Sequence, residues 1–67
     1  MRAAQIPPLI FRVLQHEGGW SVEHDGLISD GSRAKAEAVA AATKRARAAL
    51  TLGQPVQIRV QGETGYF

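Results

Sequence analysis

An alanine-rich helical segment between strand-like segments constrains the fold of this chain more than any other feature. Nine alanines fall between Ala34 and Ala49, where Val39 is the only bulky apolar residue, and Leu50 follows directly. Small side chains allow a helix to lie very close to its neighbours, since the packing distance depends on the side chains at the contact. The pattern therefore favours a small α+β domain in which this helix packs on a sheet.

Alternating apolar residues predict a β-hairpin before the helix. Residues 9–15 and 20–24 both alternate with a period of two, and two consecutive glycines lie between them. Glycine adopts positive φ without steric cost, which favours a tight turn at this point. The alternation places Phe11, Val13, Trp20 and Val22 inward, and it places Ser21 and Glu23 outward.

The helix is expected to begin after Ser32 and to end before Gly53. Serine is a preferred N-cap residue, and glycine is common directly after a helix. A turn at residues 25–26 and a short third strand at residues 27–28 precede the cap. A helical wheel predicts one stripe that faces the sheet. That stripe consists of Ala36, Val39, Ala40, Thr43, Ala46 and Leu50.

Residues 56–61 form the cleanest strand pattern, with Val56, Ile58 and Val60 on the buried face. Tyr66-Phe67 predicts a return strand after a turn. The predicted fold is an α+β domain of order ββ(β)αβ(β). Its small antiparallel sheet has three to four strands, and one helix packs on one face. Residues 1–8 are expected to form an N-terminal arm, and residues 9–67 a single domain.

Composition excludes several functional classes. The chain has 67 residues and no cysteine, so disulfides and thiol chemistry are absent, and a reducing compartment is favoured. No apolar run is long enough to span a bilayer, and the N-terminus lacks the apolar core of a signal peptide. We therefore expect a cytoplasmic protein without a membrane partner.

The sequence provides no combination of residues that indicates catalysis. The neighbours His16-Glu17 and His24-Asp25 are expected to point to opposite faces of a strand, which argues against acid–base pairs. His24 is instead expected to pack in the fold. The glycines fit turns rather than a phosphate-binding loop, and two histidines with scattered carboxylates do not predict a zinc site. We expect a protein that is not an enzyme and has no cofactor and no metal.

The outer sheet face predicts an interaction surface. Ile10 and Leu14 flank Arg12 on this face, and Arg59 lies on the last strand. Such an apolar strip in a polar surface is typical of a subunit contact, and a domain of this size buries little of its own surface. The first hypothesis is therefore a small interaction module that pairs with another protein or, by default, with itself.

Nucleic-acid binding is the alternative hypothesis. The net charge is +2 and the pI is about 9.7. The candidate phosphate contacts are Arg33, Lys44, Arg45 and Arg47. The predicted outer sheet face has no aromatic residue, which disfavours recognition of single-stranded RNA on the sheet.

Three segments together resemble a known family. They are the hairpin at residues 11–22 with its turn GGWSV, the helix with Lys35-Ala36-Glu37-Ala38 after Ser32, and the final VQIRVQGETG. Over about residues 9–66 the chain resembles the small bacterial family known as domain of unknown function 2188. The resemblance implies this fold and no established activity. Gln61 and Glu63 stand where basic or histidine residues are typical of the family, which argues against anion binding at that turn.

A weaker likeness is to the antitoxin domain of the HicB type. It rests on the order of hairpin and helix and on a Glu-Ala pair in the helix. This chain lacks the additional strands and the separate DNA-binding tail that such antitoxins usually have. The likeness to domain of unknown function 2188 is therefore ranked first.

Overall fold

A computed structural model describes residues 6–63 of the chain. The elements follow in the order β1 (Leu9–His16), β2 (Gly19–His24), β3 (Leu27–Ser32), α1 (Lys35–Thr51) and β4 (Val56–Val60). The predicted α+β fold is confirmed, with one helix after three strands and a further strand after the helix. The predicted return strand at Tyr66-Phe67 lies outside the described residues.

Two tight turns connect the first three strands. Glu17 and Gly18 have φ values of 50° and 78°, and Asp25 and Gly26 have φ values of 53° and 82°. Positive φ at both central positions defines type I′ turns, whose twist matches that of antiparallel strands. These turns fix the antiparallel pairing of β1 with β2 and of β2 with β3.

The third strand is longer than predicted because it contains a bulge. Val22 pairs with Ser29 and Trp20 pairs with Ser32, so two residues of β3 oppose Ser21 alone. Asp30, in the bulge, has a φ of 56°. The polar run that predicted a loop before the helix is therefore an irregular edge strand.

Ser32 is not the N-cap of α1, so this prediction is wrong. The N-cap is Ala34, which makes no side-chain capping bond. Ser32 is held at the end of β3 by its pairing with β2. Its Oγ accepts a hydrogen bond from the Ala34 N–H at 3.2 Å and donates one to Glu37. Ser32 therefore stabilises the turn before α1 from a position two residues before the N-cap.

The sheet is mixed, with strand order β3-β2-β1-β4. β4 pairs with β1 in parallel, with Leu9 opposite Val56 and Val13 opposite Val60. The prediction of a purely antiparallel sheet is therefore corrected at β4. The 17 residues of α1 span about 25 Å. This length carries the chain back to the end of the sheet where β1 and β3 begin, so β4 runs in their direction.

The core combines bulky side chains from the sheet with methyl groups from the helix. Its buried members are Phe11, Val13, Val22, Ile58 and Val60 from the strands, and Ala38, Ala42 and Ala46 from α1. The predicted inward positions of β1, β2 and β4 are confirmed by these side chains. Branched and aromatic side chains fill the layer between sheet and helix, so the helix contributes the small partners that dense packing requires.

The predicted helix stripe is largely wrong. Ala36 and Ala40 are exposed, and Leu50 is 51% exposed. Ala46 belongs to both the predicted and the observed face. Of the two predicted anchors, Val39 is partly buried against the core and Leu50 is not. The buried side chains of α1 are the alanines at positions 38, 42, 46 and 49.

Two residues of β2 show how the end of the sheet is built. Trp20 is partly buried against the core, and Lys35 Nζ lies 5.2 Å from the centroid of its ring. Lys35 also forms an ion pair with Glu63.

Ser21, predicted to point into solvent, is only 4% exposed. It lies beside the bulge of β3, where a Cβ on Gly31 would be 3.5 Å from Ser21 Oγ.

Within residues 6–63, no helix has both the length and the apolar character needed to cross a membrane.

Candidate functional site

The sheet has one face that no described element covers. α1 packs on the other face, against all four strands. Strand alternation and pairing place one set of side chains on the uncovered side, which we call the open face. Its principal side chains are Ile10, Arg12, Leu14, Glu23, Ile28, Gln57 and Arg59.

A row of four side chains crosses the open face from one edge of the sheet to the other. Ile28 of β3 pairs with Glu23 of β2, Glu23 pairs with Arg12 of β1, and Arg12 pairs with Arg59 of β4. We call this set the charged row. Residues directly opposite each other point to the same face, so the row places one carboxylate and two guanidinium groups side by side.

The charged row is only partly neutralised. Arg12 Nε lies 3.4 Å from Glu23 Oε1, and Glu23 Oε2 accepts a hydrogen bond of 2.7 Å from the Gly26 N–H. Arg59 Nη2 donates a hydrogen bond to Gln57 Oε1 at 3.0 Å. Like charges directly opposite each other on a sheet are unfavourable. The Arg12–Arg59 side of the row is therefore suited to a further acceptor.

Apolar side chains flank the charged row. Ile10 and Leu14 are half-buried on either side of Arg12, and Ile28 is 43% exposed at the edge of the sheet. A groove of about 250 Å³ runs between β1 and β4 and is lined by Arg12, Leu14, Arg59 and neighbouring residues. The open face thus combines apolar positions with charged groups of both signs.

The structure brings the predicted interaction residues together. Ile10, Arg12 and Leu14 lie on the open face of β1, and Arg59 lies beside Arg12 on β4. The sequence prediction placed Glu23 outward, but it included neither Glu23 nor Ile28 in this site. The Asp25-Gly26 turn was the signal that could have found them, because a two-residue type I′ turn fixes which residues of β2 and β3 are opposite.

The predicted nucleic-acid residues do not form one patch. Arg33 lies in the bend before α1, and Lys44 lies about two and a half helical turns from the start of the helix. Lys44 and Arg47 are exposed and three residues apart, which places them on neighbouring positions of the helix surface. These three residues form no ion pair with any residue between 6 and 63.

Arg45 points toward the sheet rather than away from it. Its Nη1 donates to Ser29 Oγ at 2.9 Å and to Asp30 Oδ2 at 3.3 Å. Its guanidinium carbon lies 4.9 Å from the centroid of the Phe11 ring. Arg45 therefore joins α1 to the bulge of β3, which leaves it poorly placed to contact a phosphate group.

The two histidine–carboxylate neighbours are closer than the sequence predicts. His16 Nε2 lies 3.9 Å from Glu17, and His24 Nε2 lies 3.4 Å from Asp25. Each carboxylate stands in a turn, so the alternation of a strand does not separate it from the histidine. His24 Nδ1 lies 3.0 Å from the Ile10 carbonyl oxygen.

The centroids of the His24 and Phe11 rings lie 4.7 Å apart, so His24 packs in the fold as predicted. Over residues 6–63, no three side chains of His, Cys, Asp or Glu come together in a group that could hold a metal ion.

These features define a class: small α+β domains whose mixed sheet is covered by one helix and leaves its other face open. Residues 11–67 match the model of a family described as uncharacterised protein conserved in bacteria (DUF2188). Since the match covers most of the chain, the chain belongs to this family, and the resemblance seen in the sequence is confirmed. Comparisons with curated proteins and with solved structures give no match.

Proposed function

We propose that this protein is a small, non-enzymatic interaction module that pairs with a second copy of itself through the open face. The observation that carries the proposal is a sheet face that combines Ile10, Leu14 and Ile28 with the charged row. Burial of these apolar side chains in an interface removes them from water, which favours association. The cytoplasmic location expected from the cysteine-free sequence is part of this proposal.

The charge pattern favours a protein surface as the occupant of the open face. Glu23 contributes a negative charge beside Arg12 and Arg59, so the face carries both signs. Phosphate backbones select surfaces of one sign, because affinity comes from neutralising many phosphates. A face with both signs is instead complementary to another mixed face, including a second copy of itself.

The size of the open face sets the expected strength of the contact. Four strands that share about five paired positions cover roughly 15 Å by 17 Å, on the order of 400 Å² of accessible surface per copy once side-chain relief is included. This is about half of the 800 Å² that each partner buries in a standard interface. We therefore expect a reversible dimer with a Kd on the order of 100 µM.

Sedimentation velocity tests this proposal directly. The wild-type protein should shift from monomer to dimer between about 10 µM and about 1 mM. Leu14→Asp should keep the protein monomeric, because it places a charge in the apolar part of the contact. Leu52→Asp is the matched control, since Leu52 is 82% exposed and lies outside the open face.

A second variant guards against a folding artefact. Ile28→Lys removes an apolar side chain at an exposed edge position and places a cation beside Glu23, so it should fold normally and still weaken the dimer. Circular dichroism reports whether each variant is folded. A wild-type protein that remains monomeric at about 1 mM, or folded Leu14→Asp and Ile28→Lys variants that dimerise like the wild type, would contradict the proposal.

Nucleic-acid binding remains a second candidate. Arg33, Lys44 and Arg47 are exposed and unpaired within the described range. An NMR titration with short DNA and RNA duplexes at low and physiological salt tests this candidate. Salt-sensitive shifts at these residues that disappear in a Lys44→Glu/Arg47→Glu variant would support it. The same titration without shifts would exclude it.

A further inference from the structure

The charged row has a direction, because its negative group lies toward one edge of the sheet. Counted from β3 to β4, the side chains are apolar Ile28, anionic Glu23, cationic Arg12 and cationic Arg59. Adjacent strands are about 4.8 Å apart, so the positive centre of the row lies about one and a half strand spacings, roughly 7 Å, from its negative centre. The row therefore acts as an electric dipole along the sheet, at right angles to the strands.

A symmetric pair of such faces has two aligned arrangements. Closed dimers of identical chains are related by a two-fold axis, and packed sheets keep their strands within about 30° of parallel or antiparallel. An axis across the strands places each strand over its own copy, so Arg12 faces Arg12 and Glu23 faces Glu23. An axis along the strands reverses the strand order, so β2 of one copy lies over β1 of the other.

We infer that the two copies pack with the axis along the strands, so that Glu23 of each copy lies over Arg12 of the other, with Arg59 of that copy one strand spacing away. This inference rests on the self-association proposed above and adds its geometry. In this arrangement each dipole is opposed to that of the other copy, and each Glu23 carboxylate lies over an Arg12 guanidinium group, while each Arg59 lies opposite Ile28. In the alternative arrangement each charged side chain of the row lies opposite the same side chain of the other copy. Like charges that face each other are unfavourable in a dehydrated interface.

Glu23 and Arg59 both have hydrogen-bonding capacity left for contacts between the two copies. Glu23 is held by the Gly26 N–H at 2.7 Å and by Arg12 Nε at 3.4 Å, so its carboxylate is fixed beside the strand. A carboxylate has about four acceptor positions, which leaves room for guanidinium groups of the second copy. Among residues 6–63, the side chain of Arg59 has one hydrogen-bond acceptor, Gln57 Oε1. Its remaining N–H groups are available to the carboxylate of the second copy.

The decisive experiment is a mixing experiment with Arg12→Glu. In the inferred arrangement, a heterodimer of Arg12→Glu with the wild type places the introduced carboxylate against Glu23 of the second copy. Its Kd should therefore be at least about tenfold higher than that of the wild-type homodimer. In the alternative arrangement the introduced carboxylate would face Arg12 of the wild-type copy, and the heterodimer would be tighter than the wild type. The sign of the change decides between the arrangements.

Charge reversal at the other position provides the complementary test. Glu23→Arg alone should abolish detectable dimer, because each introduced arginine meets Arg12 and Arg59 of the other copy. An equimolar mixture of Glu23→Arg with Arg12→Glu should regain dimer, since opposite charges meet at both contacts in either arrangement. The mixture therefore tests the charge contact itself, and Glu23→Arg alone tests the geometry, because in the alternative arrangement it only replaces one pair of like charges by another. Glu23→Gln is the matched control for the turn, as it keeps an acceptor for the Gly26 N–H.

A distance measurement covers the case in which the reversed variants fold poorly. The chain contains no cysteine, so His16→Cys gives a single site for a spin label at the end of β1. In the inferred arrangement two such labels should lie about 15 Å apart, and in the alternative about 30 Å apart.

A dimer with the longer distance would overturn the inferred geometry and leave self-association intact. A wild-type protein without any dimer would refute the proposed function itself.

Discussion

The position of Ala42 provides the sharpest test of how α1 lies on the sheet. Ala42 is fully buried, with a relative exposure of 0%, whereas Ala40 is exposed two residues earlier. The Ala42→Leu variant adds three carbon atoms to a contact between helix and sheet that has no space for them. The Ala40→Leu variant makes the same chemical change on the solvent side, so differences in helix propensity cancel between the two.

The expected magnitude follows from the packing of the core. Overpacking by extra methylene groups typically costs about 1–3 kcal/mol, and three added carbons on a rigid contact place Ala42→Leu near the upper end. A domain of this length has a total stability of roughly 3–10 kcal/mol, so the loss is a large fraction of it. For a domain of this size about 2 kcal/mol corresponds to a decrease in Tm of roughly 8–16 °C. Ala40→Leu should change stability by less than about 0.5 kcal/mol.

Urea and thermal unfolding followed by circular dichroism measure both variants. The protein concentration should stay low, so that self-association does not add to the stability of the folded state. The reasoning fails if Ala40→Leu is the destabilised variant and Ala42→Leu is tolerated. That result would mean that α1 packs through the face around Val39 and Ala40, as the hydrophobic pattern of the sequence alone predicts.

Two further predictions concern the edge strand β3. Gly19→Ala should lose about 1–3 kcal/mol in urea denaturation, because a Cβ at this position would lie 2.5 Å from the backbone oxygen of Ser32. Gly31→Ala is its control and should lose little stability, since its Cβ would meet Ser21 Oγ at an ordinary contact distance. Equal losses of stability for the two variants would contradict the clash at Gly19. Arg45→Met should lose roughly 0.5–1 kcal/mol by the same assay, a small value because the arginine side chain is 38% exposed and screened by solvent. The loss of stability caused by Arg45→Met should be smaller in 1 M salt, where the screening length is about 3 Å. A loss that does not depend on salt would argue against the ion pair between Arg45 and β3.

Much of the strand structure could be predicted because it depends on local rules. The alternation in β1 and β4 identified Phe11, Val13, Ile58 and Val60 as inward residues, and all four are buried. The glycines at positions 18 and 26 predicted two turns, and both adopt the positive φ that glycine favours. Because the strand faces were correct, Ile10, Arg12, Leu14 and Arg59 were also placed correctly on one surface.

The helix and the edge strand could not be predicted in the same way. A helix with eight alanines has little hydrophobic contrast around its circumference, so Val39 and Leu50 dominated the predicted pattern, whereas the buried side chains of α1 are alanines. Ser32 has the chemistry of an N-cap, yet pairing with Trp20 keeps it in the sheet. In both places a contact distant in sequence outweighed the local preference.

Local sequence patterns were enough to place β1, β2, β4 and the helix, and to assign Ile10, Arg12, Leu14 and Arg59 to one face of the sheet. The parallel pairing of β4 with β1, the packed face of α1 and the position of Arg12 between Glu23 and Arg59 depend instead on the assembled fold. The physical reason is the range of the interactions. Turn geometry and side-chain alternation act between neighbouring residues, whereas strand order and helix orientation depend on how the bulky side chains of all four strands fill one small core.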